Sequence, residues 1–154
     1  MKVLRIYLDT SVFGGCFDEE FAKESRRLIE EIKAGRFRLL LSEAVVAEVE
    51  RAPVDVQKVL AGIPEDCIEV LPPDPAVKIL MRAYLDAQIV GPASATDAEH
   101  IASATVARAD MIVSWNFKHI VHYEKIEGYL SVNRQLRYGE IGIYSPKEVV
   151  DYEN

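Results

Sequence analysis

Apolar and polar positions fall along this chain in blocks of two kinds. Residues 3–8, 38–41, 68–71, 111–115 and 141–144 are short, mostly apolar runs. Their length and their content of Val, Ile and Leu predict strands, the first of them buried on both faces. The segments between them carry helical spacing. Residues 19–34 place Phe21, Ala22, Leu28, Ile29 and Ile32 on one side, and Gly35 supplies a C-terminal stop. Ser42 caps a helix to about Ala52, which Pro53 ends, and a further short helix reaches about Gly62. After Pro72-Pro73 a helix covers about 75–87, and Gly91-Pro92 breaks the chain. Thr96-Asp97-Ala98-Glu99 has the capping-box pattern and opens a helix to about Arg108. Residues 117–138 are mixed, and Ser145-Pro146-Lys147-Glu148 is a second capping box with Pro at the first helical position.

Strands alternating with helices predict an α/β fold: a three-layer α/β/α sandwich around a parallel sheet of four to five strands. No repeat or linker interrupts the pattern, and 154 residues suit a single domain over 1–154. Reactive groups in such sheets collect beyond the carboxyl ends of the strands. The residues that follow each strand are therefore the candidates.

Asp9 directly follows the first strand, where a turn role competes with a chemical one. Glu48 is the clearer anomaly. On a wheel of about 100° per residue it falls in the arc of Ala44, Val45, Val49 and Ala52, whereas Glu43 and Glu50 face away. A carboxylate there needs either a metal or an ion-pair partner such as Arg5. Asp97 repeats the anomaly beside Ala98, Ile101, Ala104, Thr105 and Arg108, with favourable placement in a helix dipole as its bland explanation. Asn116 ends the fourth strand, where it is either a turn residue or an oxygen donor without charge. Asp110 precedes that strand and belongs to the opposite edge.

Charge and cysteine content narrow the chemistry. A net charge of −7 excludes a protein that coats nucleic acid by bulk charge, though not an enzyme acting on it. The excess is uneven: Lys118, Lys125, Arg134, Arg137 and Lys147 outnumber Glu124, Glu127 and Glu140 in residues 111–147. Cys16 and Cys67 share no metal spacing with the histidines, which excludes zinc or disulfides as the organising principle. No apolar run approaches a membrane span, and no secretory signal pattern is visible, so a cytoplasmic location is the expectation. Oxygen donors without Cys or His select a hard cation, Mg2+ or Mn2+, of the kind that serves phosphate chemistry.

Taken in order, Tyr7-Leu8-Asp9-Thr10-Ser11, residues 42–48, residues 96–104 and residues 109–116 resemble a PIN domain, as does the closing segment 143–148. The resemblance implies a metal-dependent ribonuclease, commonly the toxin of a toxin–antitoxin pair. RNA would be the substrate, with a cognate antitoxin and a second copy of the chain as partners. Carried over by position, Asp9, Glu48 and Asp97 match the acidic metal ligands. Ser11 matches a hydroxyl that supports the first acid. Asn116 stands where a fourth acid is usual, as an auxiliary ligand or water-positioning group. Lys118, Arg134 and Arg137 are candidates to hold the RNA strand, with Arg26 and Arg27 weaker. Trp115 and Phe117 flank Asn116, and either core packing or base stacking accounts for them. His100 is expected on a helix flank, and His119 is a second possible acid. An aspartate-nucleophile phosphatase would need an Asp where Ser11 stands. A catalytically silent PIN-like module that binds RNA or protein is the alternative that Asn116 favours.

Overall fold

The computed structural model describes residues 2–151. Its centre is β1 (Leu4–Leu8), flanked by β2 (Phe37–Leu41) and β4 (Met111–Val113), with β3 (Ile68–Val70) and β5 (Gly142–Tyr144) at the edges. The order is β3-β2-β1-β4-β5, and every pairing is parallel. Ile6 lies opposite Leu39 on one side and Met111 on the other. A strand with neighbours on both sides and helices above and below meets no water. Ile6, Tyr7 and Leu8 are accordingly buried completely, with Leu39, Leu40 and Ile112 beside them. The five apolar runs are thus the five strands.

Helices α1 (Thr10–Gly15), α2 (Ala22–Lys33), α3 (Glu43–Glu50), α4 (Val54–Ala61), α5 (Pro75–Asp86), α6 (Ala95–Val106), α7 (Tyr123–Gln135) and α8 (Pro146–Asp151) cover the sheet. α1 and α8 pack on α2, and α6 and α7 pack on α5. Among the described residues no helix is long and apolar enough to cross a membrane.

Three expectations need correction. α1 is absent from the sequence reading, because its six residues end in Gly14-Gly15 and its start resembles a turn. The glycine serves packing: a Cβ on Gly15 would lie 2.5 Å from Ser25 Oγ and 2.9 Å from Trp115 Nε1. α6 begins at Ala95 rather than after Thr96, because a 3-10 turn over Pro92–Ser94 runs straight into it. Thr96 is exposed and caps nothing, and Asp97 is the third helical residue. The mixed stretch holds a well-formed helix, α7, which Gly128 lets approach Ile89 closely. The second capping box forms: Ser145 N–H donates to Glu148 Oε1 at 3.0 Å, and Glu148 N–H donates to Ser145 Oγ at 3.3 Å.

Candidate functional site

The chain leaves β1 toward β2 on one side and later returns to place β4 on the other. The carboxyl ends of β1 and β4 therefore form the topological switch point, the usual crevice of an open parallel sheet. Asp9 stands there as the cap residue of α1, only 5% exposed. Its Oδ1 accepts from Ser11 Oγ at 2.5 Å and its Oδ2 from Ser114 Oγ at 2.9 Å. The same hydroxyls accept from β4's continuation: Trp115 N–H donates to Ser11 and Asn116 N–H to Ser114, each at 2.9 Å. Two serines thus tie the first acid to the end of β4.

Glu48 reaches the same edge from α3, whose Ser42 cap accepts from Val45 N–H at 3.2 Å. Its partner is His100 and not Arg5, which is engaged at the other edge by Glu69. His100, expected on a helix flank, lies in α6 and is 2% exposed. Its Nε2 is 2.5 Å from Glu48 Oε1 and its Nδ1 is 2.7 Å from Tyr7 Oη, which is itself 2.7 Å from Ser42 Oγ. Nε2 must carry a proton to face a carboxylate. In the neutral ring Nδ1 then accepts from Tyr7, and Ser42 donates to Tyr7 while accepting from the helix. One run of hydrogen bonds so joins a helix cap, a strand tyrosine and a histidine to Glu48.

Asp97, half-buried on α6, completes the set. Burial pushes its carboxyl above the ordinary range, and Glu48 adds to the rise against the opposing His119, His100 and the Asn116 amide. Asp9 is also raised, by burial first, with Asp97 contributing and Ser11, His100 and Ser114 opposing. Burial also pushes Glu48 upward, but the His100 hydrogen bond and charge, with Thr10 and Arg51, outweigh it and hold it low. Burial would lower His100, yet Glu48, Asp9 and Asp97 together raise it. Asp97 acts on Asp9 and Glu48 acts on Asp97, and among the described residues none of the three forms an ion pair with Lys or Arg.

Asn116 is oriented differently from a free oxygen donor. Its Oδ1 accepts from Lys118 N–H at 3.1 Å and His119 N–H at 2.9 Å, while its amide acts on Asp97 and opposes the rise of that carboxyl. Lys118 is exposed in that same turn. Arg134 and Arg137 are exposed elsewhere: Arg134 is 3.8 Å from Glu140, and Arg137 lines a cleft with Arg108, Asp110 and Ile141 at the amino ends of β4 and β5. Reading the charge of residues 111–147 as one patch joined side chains from opposite ends of α7 and β4. The sequence reading set His100 aside as a flank residue and gave Tyr7 and Ser114 no role. His100 had a signal, since it stands three residues after Asp97 on the same helical face. Tyr7 had one as well, a hydroxyl inside an otherwise aliphatic strand that needs a partner.

Among the described residues no group of three or more His, Cys, Asp or Glu side chains is placed to hold a metal ion. Mg2+ does not require such a group, because it holds one or two carboxylates and keeps several waters. Asp9 and Asp97, without a Lys or Arg ion pair and raised by burial and by neighbouring acids, are two carboxylate donors of the kind that such an ion neutralises, and these two residues fit it.

The sheet order and the acids at its switch point define a doubly wound α/β protein with a carboxylate site. Residues 6–119 match the PIN domain, and the chain belongs to the PIN domain family, whose members are generally nucleases. Among solved structures of similar fold is a chain of VapBC2 from Rickettsia felis, determined with a DNA fragment from their promoter. It has a TM-score of 0.54 and 16% identity over 75% of this chain and 90% of that one, a likeness of fold alone. No curated protein matches in sequence.

Proposed function

We propose that this protein is a metal-dependent endoribonuclease and the toxin of a type II toxin–antitoxin pair, acting in the cytoplasm. The observation that carries the nuclease reading is the gathering of Asp9, Glu48 and Asp97, from three separate elements, at one sheet edge with no ion pair to Lys or Arg among the described residues. In this reading Asp9 and Asp97 hold the ion, and Glu48 joins them. A bound Mg2+ or Mn2+ supplies neutralisation of the scissile phosphate and a water of lowered pKa. Ser11 and Ser114 fix the Asp9 carboxylate, His100 keeps Glu48 ionised and aimed, and Asn116 steers Asp97 through its amide. Lys118 pairs with a neighbouring phosphate. The likeness to a VapBC2 chain supports an antitoxin as partner.

The test is cleavage of a mixed RNA substrate. Activity is expected with Mg2+ or Mn2+, lost with a chelator, and lost in Asp97→Asn with the fold intact. Asn116→Asp adds a carboxylate beside Asp97 and is expected to tighten Mn2+ binding and preserve or increase cleavage. Cleavage by Asn116→Asp alone would instead favour the silent module, and cleavage by neither protein would end the nuclease reading.

A further inference from the structure

Trp115 and Phe117 flank Asn116, and the fold gives them opposite fates. Trp115 is 9% exposed. It stacks on Phe21 with centroids 4.2 Å apart at 18°, its Nε1 donates to Ser25 at 2.7 Å, and its backbone N–H donates to Ser11. It is core, fixed at three points. Phe117 is 49% exposed and meets Trp115 edge-on, 6.1 Å away at 67°. An aromatic ring is therefore held out into solvent on a rigid backing. It stands one residue beyond Asn116, whose amide faces Asp97, and one residue before the exposed Lys118.

Resting on the nuclease reading, we infer that Phe117 is the floor of a nucleobase subsite, and that the substrate is single-stranded RNA with an unstacked base beside the scissile phosphate. Charge explains why such a subsite is needed. The acids at this edge repel a polyanion, and Arg134 and Arg137 lie at the far edge of the sheet. Positive charge at this edge comes from the exposed Lys118 and from Arg51, which acts on Glu48, and the acids offset much of it. Stacking on an aromatic ring draws on no charge, accepts every base, and requires that the base be free of a duplex. A ring joined to Asn116 by one peptide bond also sets a short register between the stacked base and the acids.

Binding separates this inference from catalysis. Trp115 is the only tryptophan, and its fluorescence reports on the ring that touches it. Titration uses a single-stranded oligoadenylate, with Ca2+ taking the oxygen ligands in place of Mg2+. Phe117→Ala is expected to weaken binding by roughly 5- to 100-fold, and Phe117→Tyr to restore it. An oligomer of abasic sugars should bind weakly and show no difference between wild type and Phe117→Ala, and the same holds for a duplex. Phe117 is half-exposed, so the fold is expected to survive, as near-ultraviolet circular dichroism of Trp115 would show. Equal binding of oligoadenylate by wild type and Phe117→Ala overturns the subsite. So does an equal loss on abasic and duplex probes. RNA cleavage by the wild type leaves the nuclease reading standing in either case. Phe117-dependent binding without any cleavage under Mn2+ would keep the subsite and remove the nuclease.

Discussion

Asp9 is buried and charged at a cost that its two serine donors offset only in part. Because its folded pKa is raised, the fold favours the protonated form. The associated stability is present below the ordinary carboxylate pKa and is lost as pH rises through the raised value. Asp9→Asn removes that penalty, and either serine hydroxyl can turn to accept from the new amide. In metal-free buffer at neutral pH the variant is expected to melt higher, by on the order of 2–4 °C per kcal/mol gained for a chain of this size. The gap should close as pH falls below about 4. Melting curves across that range check it, and a large loss of stability would show that Asp9 is a structural acid. Gly15→Ala acts in the other direction. Its Cβ meets Ser25 and Trp115 at van der Waals overlap, and a loss of about 1–3 kcal/mol is expected from denaturant unfolding.

At the scale of the element, the helix ends follow one device with unequal residues. After α2, α5, α6 and α7 the chain turns through the left-handed region, at Gly35, Gln88, Arg108 and Arg137. Each turn carries paired backbone bonds, such as Gln88 N–H to Leu85 and Ile89 N–H to Tyr84. This is the Schellman closure, which glycine enters without a Cβ penalty. Only the first of the four uses glycine. Gln88 is exposed and its side chain makes no hydrogen bond in the structure, so Gln88→Gly is expected to stabilise. The left-handed strain relieved exceeds the added freedom of the unfolded chain by about 0.5–1 kcal/mol. Chemical denaturation with an unchanged m-value would confirm it.

Across the whole molecule the two edges of the sheet treat their acids in opposite ways. At the carboxyl edge Asp9 and Asp97 are raised. At the amino edge Arg5 donates to both oxygens of Glu69, at 3.1 and 2.7 Å, and to the carbonyls of Ala107 and Arg108. The Arg5 hydrogen bond, its charge and that of Arg38 hold Glu69 low. Burial would raise Asp110, but the Arg5 backbone N–H and Lys2 outweigh it and hold it low too. A lowered folded pKa stabilises above the unfolded value, and that stability is lost as pH falls through the folded value. Glu69→Gln is therefore expected to lose about 1 kcal/mol at neutral pH and to match the wild type in acid. The two edges thus give pH profiles of opposite slope. Finding Glu69→Gln and Asp9→Asn with the same slope would refute the division into a paired edge and an open one.

The apolar runs alone determined the strands, because a central parallel strand has no wet face on which to place polar residues. Glu48 was legible for the same reason, as a carboxylate set in an apolar arc. Asp97 was legible by its face, although its presumed cap was wrong: whether Thr96 or the preceding 3-10 turn starts α6 depends on how Pro92–Ser94 packs, not on a four-residue pattern. The partners of the acids were decided by tertiary structure. Tyr7, Ser42, Glu48 and His100 come from three elements, and their hydrogen bonds exist only once β1, α3 with its cap, and α6 are stacked. Sequence proximity also misplaced Arg134 and Arg137, since a helix carries residues a few turns apart to opposite edges of the sheet. What a side chain is follows from the sequence. Which edge it reaches, and what charge meets it there, follows from the order of the strands.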